Sequence, residues 1–178
     1  MTKRFVLIDR DGTLIVEKNY LSNPDEVEFI PGVAPALQRL HEAGWGICVV
    51  TNQSGIARGY FDMDQLGKVH QRLAEMLALF DVQLDGIYLC PHGPDDKCKC
   101  RKPLPGMIHQ AVAAHGFDPQ KAWVVGDKEI DVGLGRSVGA SSVLVRTGYG
   151  QRYESETKAD FIADDLSTAV DLILNGNE

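Results

Sequence analysis

Phe5-Val6-Leu7-Ile8-Asp9-Arg10-Asp11-Gly12-Thr13 is an apolar run that ends abruptly in two carboxylates, a glycine and a hydroxyl. Four hydrophobic residues followed by such a polar group read as a buried strand that delivers a functional loop from its carboxyl end. Side chains two apart on an extended chain share a face, so Asp9 and Asp11 are expected to point into one site while Arg10 points away. Two neighbouring carboxylates repel unless something holds them. A divalent cation does so, since Mg²⁺ takes oxygen ligands and bridges one or two carboxylates to a substrate phosphate. The tripeptide by itself is equally compatible with a solvated Asp-x-Asp-Gly turn after an edge strand.

Working outward, strands and helices alternate to the end of the chain. Pro31-Gly32 introduces a helix with Val33, Ala36, Leu37 and Leu40 at helical spacing through Ala43, and Gly44 stops it. Gly46 to Thr51 is a second buried strand, followed by the polar turn Asn52-Gln53-Ser54-Gly55. Asp62 or Asp64 caps a long amphipathic helix to Phe80, and Leu84 to Leu89 is a third strand. After a cysteine-rich loop, Pro105-Gly106 starts a helix that ends near Gly116. Ala122 to Val125 forms strand four, Ile130 to Val138 a helix stopped by Gly139, and Ser142 to Val145 strand five. A weaker strand at Asp160 to Ala163 and a helix over 166–174 close the chain, while residues 14–31 read as a loop with little regular structure.

This alternation implies right-handed crossovers and a doubly wound α/β fold, mainly parallel and Rossmann-like, in one domain over 1–178 without a large cap domain. In such sheets ligands sit beyond the carboxyl ends of the strands, where the connection direction switches. Asp9, Thr51, Arg101-Lys102 and Asp127 all fall at or beyond such ends.

A length of 178 residues suffices to bury roughly 70% of the surface of the unfolded chain, so a sizeable core is available. The net charge of −7 disfavours nucleic-acid or anionic-membrane binding, and no apolar run approaches a membrane span, so a small-molecule partner and a cytoplasmic location are expected. Small size without a cap points to a monomer.

Phosphoryl transfer needs a nucleophile, a metal, donors for the phosphate oxygens and an acid for the leaving group, and this chain offers all four. Asp9 is the candidate nucleophile, because a carboxylate attacks phosphorus without prior deprotonation. Asp127 supplies a second anionic Mg²⁺ ligand, Asp11 the acid/base, Thr51 and the following amides the phosphate donors, and Lys102 the positive charge. Asp131 is either a further partner of the metal or an exposed acid in the first turn of a helix, the latter being the expectation here.

Cys90-Pro91-His92 and Cys98-Lys99-Cys100 form a second constellation, C-x-H-x5-C-x-C over 90–100. Three thiolates and an imidazole suit tetrahedral Zn²⁺ in a closed, structural site that stiffens the loop and positions Arg101 and Lys102. A reduced, metal-free loop and a single disulfide are the alternatives. Cys48 reads as a core thiol, and His41, His70, His109 and His115 as surface or packing residues.

Four motifs in order, Asp9-Arg10-Asp11-Gly12-Thr13, Val49-Val50-Thr51-Asn52, Lys102 and Gly126-Asp127, resemble those of the haloacid dehalogenase (HAD) superfamily of aspartate-nucleophile phosphatases. Thr51 to Gly59, Cys90-Pro91-His92, Cys98-x-Cys100-Arg101-Lys102-Pro103 and Gly126-Asp127-Lys128 are similar to its D-glycero-D-manno-heptose 1,7-bisphosphate 7-phosphatase family, with histidinol-phosphate phosphatases the nearest rival. A zinc-stabilised binding module that no longer catalyses is the alternative from another class.

The resemblance implies Mg²⁺ held by Asp9, the Asp11 carbonyl and Asp127, and phosphate contacts from Thr51, Asn52 and Lys102. It also implies contacts to a sugar bisphosphate from Glu17, Lys18, Asn19, Tyr20, Gln53, Ser54, Arg101 and Lys128. The product would enter nucleotide-activated heptose synthesis for lipopolysaccharide or other surface glycans.

Overall fold

β1 (Phe5–Ile8) is buried along its whole length because it lies in the middle of a six-stranded sheet. The computed structural model describes residues 3–176, so the expected domain over 1–178 extends two residues past the described ones at each end. The other strands are β2 (Gly46–Asn52), β3 (Gly86–Cys90), β4 (Trp123–Gly126), β5 (Ser141–Val145) and β6 (Phe161–Ala163). Their order is β3-β2-β1-β4-β5-β6, every pair parallel. The chain winds outward from β1 to β3, then returns across the sheet to β4, so the crevice where direction reverses opens between β1 and β4. Val6, Leu7 and Ile8 pair with Trp123, Val124 and Val125 there, placing Asp9 and Asp127 just past neighbouring strand ends.

Alternation along the strands divides the core into two layers. Val6, Ile8, Ile47, Val49, Val125 and Val143 face one side. They pack with apolar residues of α1 (Val33–Glu42), α2 (Met63–Ala78) and α6 (Leu166–Asn175). Phe5, Leu7, Cys48, Val50 and Val124 face the other, against Met107, Ile108 and Ala111 of α3 (Gly106–His115) and Leu134 of α4 (Glu129–Val138). Both faces are therefore covered, as nearly continuous apolar strands require. α2 starts on a reciprocal cap: the Asp62 carboxylate accepts from Gln65 N, and the Gln65 side chain accepts from Asp62 N.

The expected elements are present with small shifts. β3 begins at Gly86, two residues later than expected, because Asp85 turns its carboxylate to Ile47 N–H (2.9 Å) and Lys3 (2.7 Å) at the edge of the ladder. Strand periodicity gave no sign of the single-turn α5 (Gly150–Tyr153), which is too short to carry a helical repeat. Within 14–31, Leu14, Ile15 and Leu21 reach the core, and isolated bridges tie Ile15 to Asp11 and Phe29. Among the described residues the long segments between elements, 9–32 and 91–105, contain nothing larger than the three-residue 3₁₀ turn Pro24–Glu26 and build no separate cap.

Candidate active site and cysteine cluster

Asp9 leaves β1 with its N–H bonded to Val125 O (2.9 Å), which ties the β1 exit to β4. Its Oδ1 accepts from Lys102 Nζ at 2.7 Å. The same ammonium donates to Val50 O (2.9 Å) and lies 2.6 Å from Asp131 Oδ1. The Lys102 backbone N–H donates to Asn52 Oδ1 (3.0 Å), so the end of β2 fixes the start of the 102–105 segment. Asp131 is not the exposed first-turn acid expected from its place in α4. It is 1% exposed, and its other oxygen accepts from Lys128 N–H. Gly126 makes this possible: a Cβ there would sit 2.2 Å from Asp131 Cγ.

Carboxylate oxygens of Asp9, Asp127 and Asp131 come within 4.8 Å of one another, all three buried. Burial first, then the Asp9 charge, pushes Asp127 up to about 8, against the pull of the Tyr149 N–H donated at 2.8 Å. Burial and Asp9 likewise raise Asp131 to about 6, with Lys102 opposing. Burial disfavours the charged Lys102, yet Asp131 and Asp9 outweigh it and raise its pKa. Three buried acids around one ammonium lack positive charge, and Asp127 Oδ1 is buried with no hydrogen-bond partner. A hard divalent cation would meet both needs, so this oxygen set fits Mg²⁺.

Asp11, beside this cluster, accepts from Gln53 Nε2 (3.0 Å) and from Arg10, whose Nε and Nη2 each donate at 3.0 Å. Gln53 Nε2 also donates to Thr51 Oγ1 at 2.8 Å. A cavity of about 240 Å³ opens over these groups, lined among others by Asp9, Asp11, Glu17, Asn19, Tyr20 and Asn52. Its wall continues through Gln53, Ser54 and the cations Arg101, Lys102 and Lys128. Lys18 does not line it, its ammonium being 2.9 Å from Glu28. Thr51 and Asp127 lie beneath the lining, 1% and 0% exposed. Asn19 and Tyr20 have φ of 53° and 66°, an unusual left-handed pair, and the Tyr20 ring meets Tyr60 edge-on.

Sequence reasoning missed Tyr149, which lines the cavity, carries the Lys128 ammonium 4.9 Å from its ring centre and donates its N–H to Asp127. The usable signal was Gly148. Its φ is 56°, and a Cβ there would fall 2.2 Å from Asp127 Oδ2, so only glycine lets the β5 exit loop approach the Asp127 carboxylate.

The second cluster gathers Cys90, His92, Cys98 and Cys100, one ligand atom of each within 4.8 Å of the others. Sγ of Cys90 is 3.1 Å from Sγ of Cys100 and 3.9 Å from that of Cys98, and His92 Nδ1 is 3.5 and 3.3 Å from Cys90 and Cys100. A disulfide needs about 2.05 Å, and the cysteines are free thiols. Tetrahedral Zn²⁺ with ordinary bond lengths would set S···S near 3.8 Å and S···N near 3.6 Å; the donor set suits that ion and the Cys90–Cys98 and Cys90–His92 spacings match it, while Cys90 and Cys100 stand closer than it would hold them. Burial, then the Cys100 thiol, pushes Cys90 up to about 12, whereas the Arg101 N–H holds Cys98 below its ordinary value. Arg101 Nη1 donates to His92 O (3.1 Å), which links the cluster to the cation beside Lys102. Cys48 is buried and pushed up to about 12, chiefly by burial, as a core thiol should be.

Residues 99–169 match the family model described as "HAD-hyrolase-like". The chain is 41% identical over 177 residues to the D-glycero-beta-D-manno-heptose-1,7-bisphosphate 7-phosphatase of Pseudomonas aeruginosa, covering 98% of this chain and 99% of that one. It is 42% identical over 185 residues to the enzyme of the same name from Haemophilus ducreyi, covering 97% and 98%. Its fold is similar to the crystal structure of the D,D-heptose 1,7-bisphosphate phosphatase of B. bronchiseptica in complex with magnesium and phosphate. That similarity has a TM-score of 0.91 at 34% identity and covers 97% of this chain and 99% of that one.

Proposed function

Because the chain belongs to the D-glycero-D-manno-heptose-1,7-bisphosphate 7-phosphatase family of the HAD superfamily, we propose that it hydrolyses the C7 phosphate of heptose 1,7-bisphosphate through an aspartyl-phosphate. It does so as a magnesium-dependent cytoplasmic monomer in nucleotide-activated heptose synthesis. The observation that carries this reading is the Asp9–Lys102–Asp131 contact beside Asp127, at the switch between β1 and β4.

The Asp9 carboxylate attacks phosphorus as the P–O bond to C7 breaks, and the electron pair leaves on the C7 oxygen. Asp11 gives that oxygen its proton, then takes one from the water that attacks the acyl-phosphate and releases inorganic phosphate. Lys102 holds Asp9 by one oxygen and lowers the charge repulsion between two anions. The Thr51 hydroxyl accepts from Gln53, which leaves its proton to be donated to a phosphate oxygen. Asp9, the Asp11 carbonyl and Asp127 would hold Mg²⁺, with Asp131 behind them. Bound there, the ion offsets charge on the transferring phosphoryl group. Cys90, His92, Cys98 and Cys100 would hold a structural Zn²⁺, which keeps Arg101 and Lys102 in place. Arg101, Lys128, Glu17, Asn19 and Tyr20 face the sugar and its distal phosphate from the cavity wall.

Phosphate release measured with and without Mg²⁺ on heptose 1,7-bisphosphate and on histidinol phosphate tests this function. Magnesium-dependent turnover that favours the heptose substrate and vanishes in Asp9→Asn is expected. Faster histidinol phosphate turnover, or none with either substrate, would overturn it.

A further inference from the structure

Arg10 and His70 take no part in the chemistry just described, yet they form a buried polar contact next to it. Arg10 borders the cavity instead of pointing away from it, yet at 1% exposure it is the largest fully buried side chain among the described residues. Its guanidinium lies against Asp11, Nε and Nη2 gripping both carboxylate oxygens as a planar fork. The remaining arm, Nη1, lies 3.1 Å from His70 Nε2 in the middle of α2. A guanidinium only donates, so His70 Nε2 must accept and the ring must be neutral with its proton on Nδ1. Burial, then the Arg10 charge, holds His70 down near 4, so this neutral form persists through the working range of pH. An amphipathic stripe alone would place a leucine here, as at Leu66, Leu73 and Leu77 of the same helix.

We infer that His70 is a positioning residue for the acid/base carboxylate, acting through the buried fork of Arg10. The inference rests on the phosphatase reading and extends the reaction machinery to α2, which touches no substrate. Asp11 hangs on a short exit loop and has one other side-chain donor, Gln53. With His70 in place, all three arms of the guanidinium are committed, and the fork has one orientation in which to hold both carboxylate oxygens. Without the acceptor, Nη1 is a buried donor with no partner, and the fork gains by rotating toward water. The Asp11 carboxyl then loses its aim at the leaving oxygen, while Asp9 and Lys102, held from β1, β2 and α4, keep theirs.

Leaving-group dependence in a single turnover separates this role from a general loss of structure. Formation of acyl-phosphate is timed by rapid quench, with an alkyl ester (heptose 1,7-bisphosphate) and with p-nitrophenyl phosphate, whose leaving group departs without a proton. His70→Leu should slow transfer from the alkyl ester by about tenfold to a hundredfold with KM nearly unchanged, and should leave the aryl ester little affected. His70→Gln, whose side-chain oxygen can accept from Nη1, should recover most of the loss. Arg10→Lys, which keeps the charge but not the fork, should reproduce the selective defect and serves alone if His70→Leu fails to fold. Equal slowing of both esters in the folded variants, or no slowing, overturns the positioning role. Absence of turnover by the wild-type protein on either ester overturns the phosphatase reading, and the role with it.

Discussion

Lys102 is the residue whose removal the structure prices most fully. Its ammonium sits among Asp9 Oδ1 at 2.7 Å, Asp131 Oδ1 at 2.6 Å and Val50 O at 2.9 Å, and both acids are at least 93% buried. At an effective dielectric of about 20, each ion contact carries roughly 6 kcal/mol of attraction, against a desolvation cost of several kcal/mol per ion. The net effect of deleting one partner is better taken from broken buried pairs, about 3–5 kcal/mol.

Lys102→Met keeps the aliphatic stem and removes the charge, so it should destabilise the Mg²⁺-free protein by about 3–5 kcal/mol at pH 7.5. For a chain of this length that lowers Tm by roughly 6–20 °C. At pH 5.5 the loss should be smaller. Asp131 is raised to about 6 even with Lys102 present, so without it that acid takes up a proton there and only Asp9 is left as a bare charge. Adding Asp131→Asn to Lys102→Met should recover much of the loss at pH 7.5, since removing both partners leaves less uncompensated charge than removing one. Urea unfolding of the two single variants and the double, in Mg²⁺-free buffer at both pH values, measures all of this. A single-variant loss under about 1 kcal/mol, or a double variant no better than Lys102→Met, would refute the buried-charge account.

Asp127, pushed up to about 8 from an ordinary 3.8, gives the folded Mg²⁺-free protein more bound protons than the unfolded chain between those values. Stability therefore falls as pH rises through that window, and Mg²⁺, which displaces the proton, should raise Tm more at pH 8 than at pH 5.5; an equal rise at both fails the expectation. Gly126→Ala would drive a methyl to 2.2 Å from Asp131 Cγ and should cost about 1–3 kcal/mol together with activity, as read by unfolding and phosphate release. In contrast Gly67→Ala, on the exposed face of α2 with nothing within 4 Å, should stabilise by about 0.5–1 kcal/mol. Cys98→Ser should lose zinc and lower kcat/KM by loosening the loop that carries Lys102; metal content and kinetics are measured together, and full kcat/KM without zinc fails it.

Among the described residues, the six strands, five of the six α-helices and their doubly wound order were legible in the sequence, because buried parallel strands are written as local apolar runs and helices as a repeat of 3.6. The same locality exposed Asp9, Asp11, Thr51, Lys102 and Asp127, each of which ends an apolar run or follows a distinctive loop. It also exposed the cysteine constellation, whose ligands lie within eleven residues of chain. What a side chain meets across the fold is not written locally. Asp131 looked like an ordinary acid in a helix's first turn until β4 and Gly126 brought it beneath Lys102, and His70 looked like packing until α2 was laid against Arg10. Tyr149 reached Asp127 only because Gly148 allowed two exit loops to touch. Chain pattern thus determined the sheet and the groups at its carboxyl edge. Tertiary packing alone decided which buried charges face one another, since that depends on distances between segments far apart in the chain.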